Sequence, residues 1–294
     1  MTSIDKKYAA LFAAIQENGE DFEGRNGGTR AIVGEALKFK VNLKRDAFPI
    51  IACRRQNFKH YLNEFLWEVN GGSNVNDLNN KYAPADSSFL WSTWADDSGY
   101  VAYSYGEAWR ANSQYVTEDG MGFDQLSLVE DNLKNNPMSR RITLITADVY
   151  KNILDAVKGF QSKGFPAQVP PCHPVAQFTV NTKRELSVTV LSRSQDLVCG
   201  LPGDIIRYSL MVMCLAKLAN LELGNVTIVF SNVHYYKAHE EKMIDVLSKP
   251  IKDDNNPKVT VKDGLFNSLK DFTYNDFNLY GYSPNPFVSM PLIA

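Results

Sequence analysis

Apolar residues recur at helical spacing in three parts of the chain, and each part predicts a helix. Residues 1–19 have the pattern of an amphipathic helix. Residues 54–70 predict a second helix, which ends at Gly71-Gly72, a common C-terminal stop. Residues 205–221 are almost continuously apolar. That length of apolar sequence predicts a buried helix.

Other segments have the composition of strands. The runs AQFTV (176–180) and LSVTVL (186–191) flank the polar turn NTKRE, a pattern typical of two strands joined by a turn. Residues 225–236 contain the β-rich run VTIVF and lead into a predicted helix over 239–247. Because no repeat or linker divides residues 1–294, we predict one domain. Its class is α+β, with a sheet packed on helices.

Composition narrows the class of protein. The 294 residues carry a net charge of -2, so no general basic field exists to attract nucleic acid or a membrane. No apolar run reaches the length of about 18 residues that a membrane span needs. The N-terminus lacks the features of a signal peptide. The four cysteines have no CxxC spacing, so we expect neither a metal site nor a disulfide, and a cytoplasmic location.

Cys172 is the first candidate for chemistry. Prolines 170, 171 and 174 surround Cys172-His173, which prevents a helix and fixes the backbone. A rigid thiol beside a histidine is a reasonable nucleophile, because nearby cations stabilise the reactive thiolate. The alternative is a buried structural cysteine.

Arginines beside hydroxyl groups are the second candidate. Arg140-Arg141 precede a β-like run, and Arg193-Ser194 follow a predicted strand. Guanidinium groups and a hydroxyl together suit a phosphate. Exposed or ion-paired surface arginines are the alternative.

Two carboxylates complete the candidates. Glu64 lies in an otherwise apolar stretch, where burial would raise its pKa and suit it to acid–base work. A surface position on the helix would give it no such role. Asp204 precedes the helix predicted at Ile205, so it could belong to a site or simply cap that helix.

In their order along the chain these segments resemble the thymidylate synthase family, from about Arg25 to the C-terminus. The matching pieces are GRNG at 24–27, NEFLW at 63–67, WSTWAD at 91–96, YGEAWR at 105–110, SRR at 139–141, PCH at 171–173, RSQD at 193–196, GLP at 200–202, HYY at 234–236 and the tail at 281–294. The resemblance implies an obligate homodimer with a large twisted mixed sheet packed against helices and one sheet face at the dimer interface. It also implies two small-molecule substrates, a pyrimidine nucleotide and 5,10-methylenetetrahydrofolate.

The resemblance assigns roles to individual residues. Cys172 would attack C6 of the base, with Glu64 as general acid and base and with Tyr105, His173 and Asp204 in the catalytic set. The nucleotide would be held by Arg25, Arg193, Ser194, Gln177, His234 and Tyr236, and by Arg140 and Arg141 of the partner subunit. The folate would be held by Glu64, Trp91, Asp196, Gly200 and the tail that ends at Ala294.

Asp204 departs from the family pattern. Synthases have Gly-Leu-Pro-Phe-Asn, and the asparagine amide pairs with N3–H and O4 of uracil; here the motif is Gly-Leu-Pro-Gly203-Asp204. Cytosine has an acceptor at N3 and an amine at position 4, which a carboxyl group that shares a proton can match. A mismatched buried polar group costs on the order of 1–3 kcal/mol. Asp204 therefore favours dCMP, as in the phage-type deoxycytidylate hydroxymethylases, which act in the cytoplasm of an infected bacterium.

Further departures concern the product. Residues 102–104, 146–148 and 231–232 differ from the family pattern, and a changed folate wall could admit water to the one-carbon unit. Attack by water would give a hydroxymethyl product, whereas hydride transfer would give a methyl product. Trp91 and the tail are retained, which keeps methyl transfer to dCMP open. Hydroxymethylation or methylation of dUMP would also be compatible with the sequence, and so would a non-catalytic protein that binds RNA.

Overall fold

The computed structural model describes residues 1–24, 26–41, 47–82, 90–102, 104–116, 122–147 and 170–293. The helices are α1 (Ser3–Asn18), α2 (Phe58–Val69), α3 (Val75–Asp77), α4 (Tyr105–Arg110), α5 (Gln125–Asn135), α6 (Leu201–Ala219) and α7 (Lys237–Ser248). The strands are β1 (Glu20–Gly24), β2 (Gly27–Lys40), β3 (Asn112–Val116), β4 (Gly122–Phe123), β5 (Thr143–Ile145), β6 (Val175–Val180), β7 (Glu185–Ser192), β8 (Gln195–Asp196), β9 (Glu222–Tyr236), β10 (Lys258–Val261) and β11 (Phe277–Tyr280).

One large mixed sheet organises the chain. Its strand order is β1-β2-β9-β7-β6-β5, and β8 also pairs with β9. Strand β9 runs parallel to β7 and β8, whereas the other pairs in this sheet are antiparallel. The predicted α+β class, a sheet packed against helices, is confirmed.

Helix α6 lies at the centre of the core and is buried along almost all of its length. It packs against α2 and β9, as its apolar sequence predicts. It begins at Leu201, earlier than the predicted start at Ile205, because Pro202 is tolerated in a first turn. The suggestion that Asp204 caps this helix is therefore wrong, since Gly200 occupies the cap position.

Helix α2 is shorter than the predicted segment 54–70. It begins at Phe58 because the Asn57 side chain caps it, accepting a hydrogen bond from the His60 amide at 3.2 Å. The predicted stop is confirmed: Gly71 has φ of +85°, a conformation that favours glycine.

The predicted strand pair is confirmed as β6 and β7, and the predicted helix after β9 as α7. Buried and exposed residues alternate along β7, so one face of the sheet packs on the helices. On the other face, Leu191 and Val229 are paired in register and are 40% and 37% exposed. No helix within the described ranges is long and apolar enough to cross a membrane.

Arg110 joins three helices inside the protein. Its Nε donates to the Val69 carbonyl oxygen at 2.7 Å, and its guanidinium group contacts Asp124 at 3.1 Å and Glu130 at 2.9 Å. We predict that Arg110→Met lowers the free energy of unfolding by about 3–5 kcal/mol, because it leaves the buried Glu130 carboxylate without its cationic partner. Urea denaturation followed by circular dichroism measures this. Arg184→Met, at an exposed arginine, is the control, and an equal effect of the two substitutions would contradict the assignment.

Candidate active site

A cavity of about 320 Å³ lies between α2, the start of α6 and the ends of β7 and β9. Most of the predicted site residues line it: Glu64, Trp91, Tyr105, Cys172, His173, Arg193, Ser194, Asp196, Gly200, Asp204, His234 and Tyr236. Segments far apart in sequence thus meet at one place.

Other predicted residues lie elsewhere. Gln177 does not line this cavity; its side chain accepts from Thr143 Oγ1 at 2.7 Å and donates to the Ile142 carbonyl oxygen at 3.1 Å. Its predicted contact with the nucleotide within one subunit therefore has no support in this geometry. Arg140 and Arg141 are exposed in the turn before β5, away from the cavity. Arg25 and Ala294 lie outside the described residues.

Arg193 holds the segment of Cys172. Its Nε donates to the Pro171 carbonyl oxygen at 3.0 Å, its Nη2 donates to the Pro170 carbonyl oxygen, and its backbone amide donates to the Cys172 carbonyl oxygen at 2.9 Å. Burial raises the pKa of the Cys172 thiol, and the Arg193 cation opposes this shift. The thiol is thus kept in its protonated form until a reaction removes the proton.

A chain of hydrogen bonds runs from His173 to Asp204. Burial lowers the pKa of His173, so its ring is neutral. Its Nδ1 lies 3.1 Å from the Tyr208 hydroxyl, and its Nε2 lies 3.3 Å from Gln195 Oε1. We assign the ring hydrogen to Nε2, because the amide oxygen can only accept. Gln195 Nε2 then donates to Asp204 Oδ2 at 2.8 Å.

Arg207 forms the other half of this network. Its Nη1 donates to Asp204 Oδ1 and its Nη2 donates to Glu64 Oε1, both at 2.7 Å, and its Nε lies 2.8 Å from Glu68 Oε2. One buried guanidinium therefore meets three carboxyl groups from two helices. The fork of the guanidinium fixes their relative positions.

Glu68 is the most deeply buried of the three carboxyl groups, and its side chain is fully inaccessible. Burial raises its pKa to about 8, although Arg207 opposes the shift. Within the described parts of the chain, neither carboxyl oxygen of Glu68 has a hydrogen bond of good geometry, and its Oε2 meets Arg207 Nε only as an ion pair at 2.8 Å. Three carboxyl groups share one arginine, so a proton on Glu68 brings the cluster closer to neutrality.

Glu64 is also oriented from the cavity side. Trp91 Nε1 donates to its Oε1 at 2.9 Å, and His60 Nε2 lies 3.9 Å from its Oε2. Burial lowers the pKa of His60, so this histidine adds no full positive charge. Glu64 is buried, as one of the two sequence interpretations expected.

Gly203 occupies the position of the family's phenylalanine. A Cβ atom at Gly203 would lie 2.6 Å from Cε1 of Tyr61. The Tyr61 ring therefore fills the space beside the start of α6, and only glycine fits there.

The C-terminal segment reaches the same cavity through Leu292 and Ile293. The Pro291 carbonyl oxygen lies 2.7 Å from His239 Nε2. Ligand atoms of Asp196, Cys199 and His239 lie within 4.8 Å of one another beneath this segment. Our expectation that the protein binds no metal remains a prediction.

A thymidylate synthase family profile matches residues 6–294. A thymidylate synthase from Brachyspira hyodysenteriae (strain ATCC 49526 / WA1) is 31% identical over 285 residues, which cover 96% of this chain and 97% of that protein. The chain belongs to the thymidylate synthase family. Its activity is that of this family, a folate-dependent transfer of a one-carbon unit to a pyrimidine.

The sequence interpretation missed four members of this thymidylate synthase-type site: Glu68, Gln195, Arg207 and Tyr208. Arg207 carried a usable signal, since it is the only charged residue between positions 205 and 216. A buried arginine requires carboxylate partners. Nothing in the local sequence around Gln195 or Tyr208 indicates their contacts with His173.

The raised pKa of Glu68 predicts a pH dependence of stability. Between pH 4.5 and about 8 the folded state binds more protons at Glu68 than the unfolded state. The stabilisation of the folded state that comes from protonated Glu68 is fully present below pH 4.5 and is lost as the pH rises to about 8. We therefore expect Glu68→Gln to flatten the fall in unfolding free energy over that window, measured by urea denaturation at several pH values. Glu17→Gln, on the exposed side of α1, should retain the wild-type slope; a wild-type slope in Glu68→Gln would contradict the assignment.

Proposed function

We propose that the protein is a dCMP hydroxymethylase. It would convert dCMP, methylenetetrahydrofolate and water into 5-hydroxymethyl-dCMP and tetrahydrofolate. The observation that carries this proposal is the position of Asp204 in the cavity beside Cys172, with Gln195 and Arg207 on its two oxygens. Its carboxyl group replaces the amide that pairs with uracil in the synthases.

The proposed chemistry begins at Cys172. Its S–H bond breaks, its sulfur bonds to C6, and the electron pair of the C5–C6 double bond shifts through C4 to N3 of cytosine. N3 of the bound cytosine already carries a proton that faces the Asp204 carboxylate, so the arriving electron pair neutralises the ring, and Glu64 on the cavity wall takes up the thiol proton. Arg193 stabilises the thiolate that forms. C5 then becomes the nucleophile that accepts the one-carbon unit, and Glu64 lies on the cavity wall to move protons.

Methylenetetrahydrofolate supplies the one-carbon unit as co-substrate. We assign its binding to Trp91, Asp196 and Gly200, together with the tail at Leu292 and Ile293. The Asp196 carboxylate is held by the backbone amides of Val198 and Cys199 at 2.7 and 3.1 Å. An oriented carboxylate beside aromatic walls suits a planar pterin that donates hydrogen bonds.

A homodimer would complete the nucleotide site. We assign the phosphate to Arg25, Arg193 and Ser194, with Arg140 and Arg141 from the partner subunit. The two latter arginines are exposed and lie outside their own subunit's cavity, which supports a role across an interface. The exposed Leu191 and Val229 support the sheet face as that interface. The cysteines are free, which supports a reducing compartment such as the cytoplasm.

The direct test is incubation with dCMP or dUMP and methylenetetrahydrofolate, followed by mass spectrometry of the nucleotide. The proposal expects a hydroxymethyl group on dCMP from the wild type and none from Cys172→Ala. A methyl group on dCMP would replace the proposal with a dCMP methylase, an outcome that the retained Trp91 and tail favour. Exclusive turnover of dUMP would overturn it, and so would a fully active Cys172→Ala.

If each active site contains residues of both subunits, two inactive variants that lack different residues should complement each other in a heterodimer. Cys172→Ala and Arg140→Ala homodimers should each be inactive or nearly so. Mixed under conditions of subunit exchange, they should recover part of the wild-type activity, because one site of each heterodimer contains both intact residues. Recovery is measured against unmixed samples. Absence of recovery with exchange demonstrated by native mass spectrometry would exclude the shared site.

Asp204 should determine the choice of base. Asp204→Asn keeps the shape but provides an amide that can orient toward uracil. We predict a shift from dCMP toward dUMP on the order of 1–3 kcal/mol in transition-state preference, measured as the ratio of the two kcat/KM values. An unchanged ratio would refute the role of Asp204.

A further inference from the structure

We propose that Arg207 is a specificity-determining residue, which excludes uracil by preventing Asp204 from carrying a proton of its own. This inference rests on the proposed function, since it concerns the choice between dCMP and dUMP at the same cavity. Arg207 would thus take part in base selection in addition to linking helices α2 and α6.

The contacts of Arg207 support this assignment. Arg207 follows Asp204 by three residues on α6, so both side chains lie on one face of the helix. The contact from Nη1 to Oδ1 is 2.7 Å, and the two side chains are only 10% and 11% exposed. Asp204 Oδ1 accepts from Arg207 Nη1, and Asp204 Oδ2 accepts from Gln195 Nε2 at 2.8 Å, so both oxygens of the carboxylate face fixed donors. At this depth solvent screens the ion pair weakly.

The other groups near Asp204 do not replace this cation. Besides Arg207, the titratable groups near Asp204 in the described residues include Tyr61, Glu64, Glu68, Tyr105, Cys172, His173 and Tyr208. His173 is neutral, as its lowered pKa indicates, and the others in this set are neutral or acidic. Arg193 also lines the cavity, but its guanidinium group donates to the carbonyl oxygens of Pro170 and Pro171. Arg207 is therefore the cation in contact with Asp204.

Because cytosine and uracil present different hydrogen-bonding edges, the contact between Arg207 and Asp204 favours one base over the other. A neutral carboxylic acid has one donor and one acceptor, so it can pair with either the cytosine or the uracil edge. An ionised carboxylate has only acceptors and faces a lone pair in both complexes. Cytosine can remove that conflict, because its N3 is a base that can bring the missing proton. Uracil O4 is far less basic and cannot.

Without Arg207, Oδ1 of Asp204 would lose its cationic donor and would be open to carry a proton. The neutral acid would accept from uracil N3–H and donate to O4, as the synthase amide does. The arginine therefore makes the binding of uracil less favourable, whereas cytosine can still form both hydrogen bonds to Asp204 once its N3 is protonated. Glu68 positions Arg207 from behind through its contact with Nε at 2.8 Å.

Arg207→Gln tests the proposal. We expect the ratio of kcat/KM for dCMP to that for dUMP to fall by about tenfold or more, which is the scale of one mismatched buried polar group. Arg207→Lys, which retains a cation, should restore much of the ratio. Arg110→Gln is the matched control, because Arg110 is a buried arginine with two carboxylate partners outside the cavity. Its ratio should equal that of the wild type. Each ratio comes from one preparation, so a loss of folded protein cancels.

A second measurement needs only the wild type. Calorimetric titration in buffers of different ionisation enthalpy reports the protons taken up on binding. The phosphate, with a second pKa of about 6, adds the same proton linkage to both nucleotides, so the difference between them reports on the base. We expect dCMP binding near neutral pH to take up about one proton more than dUMP binding does. Equal proton counts for the two nucleotides would overturn the proposal, because Asp204 would then be equally protonated in both complexes.

These measurements distinguish a failure of the proposed dCMP hydroxymethylase function from a failure of the proposed role of Arg207. If the wild type does not convert dCMP, the proposed function fails. If the wild type makes 5-hydroxymethyl-dCMP but Arg207→Gln keeps the wild-type ratio, the proposed function stands and the role of Arg207 is refuted. A restored ratio in Arg207→Lys and an unchanged ratio in Arg110→Gln support the charge of Arg207 as the cause.

Discussion

A positive charge buried inside an apolar helix constrains the centre of this protein. The Arg207 side chain is only 10% exposed, and such a group is stable only with carboxylate partners close by. Glu64 and Glu68 come from α2, and Asp204 comes from the first turn of α6. The arginine therefore ties these two helices together at the cavity. It couples the proposed general acid–base group, Glu64, to the proposed base-recognition group, Asp204, through a single side chain.

Local patterns predicted the helices α1, α2, α6 and α7 and the strands β5, β6, β7 and β9, but not the other strands or the helices α3, α4 and α5. The alternation in β6 and β7 and the apolar run of α6 predicted these elements because their burial follows directly from the spacing of their side chains. Helix boundaries were less predictable. The helix was predicted to start at Ile205, yet Gly200 fits the cap position and Pro202 fits the first turn, so α6 begins before Asp204. This one turn changes Asp204 from a possible cap into a cavity residue.

The site was predictable where residues form family motifs and unpredictable where contacts are long-range. Cys172, Arg193 and His234 were identified from motifs, and all three line the cavity. The contact between Arg207 and Glu64 joins residues 143 positions apart, a distance that no local pattern encodes. Gln177, which was predicted to contact the nucleotide, does not line this cavity, and its side chain bonds to Thr143 and Ile142; its role stays a prediction.

If Arg207 keeps Asp204 ionised and so favours cytosine over uracil, the charge on Asp204 can be observed before any nucleotide binds. Infrared difference spectroscopy of the wild type against Asp204→Asn, without nucleotide and near neutral pH, measures that charge. We predict that the substitution removes the paired stretching bands of an ionised carboxylate. Loss of the carbonyl band of a protonated carboxylic acid instead would contradict the proposed role of Arg207.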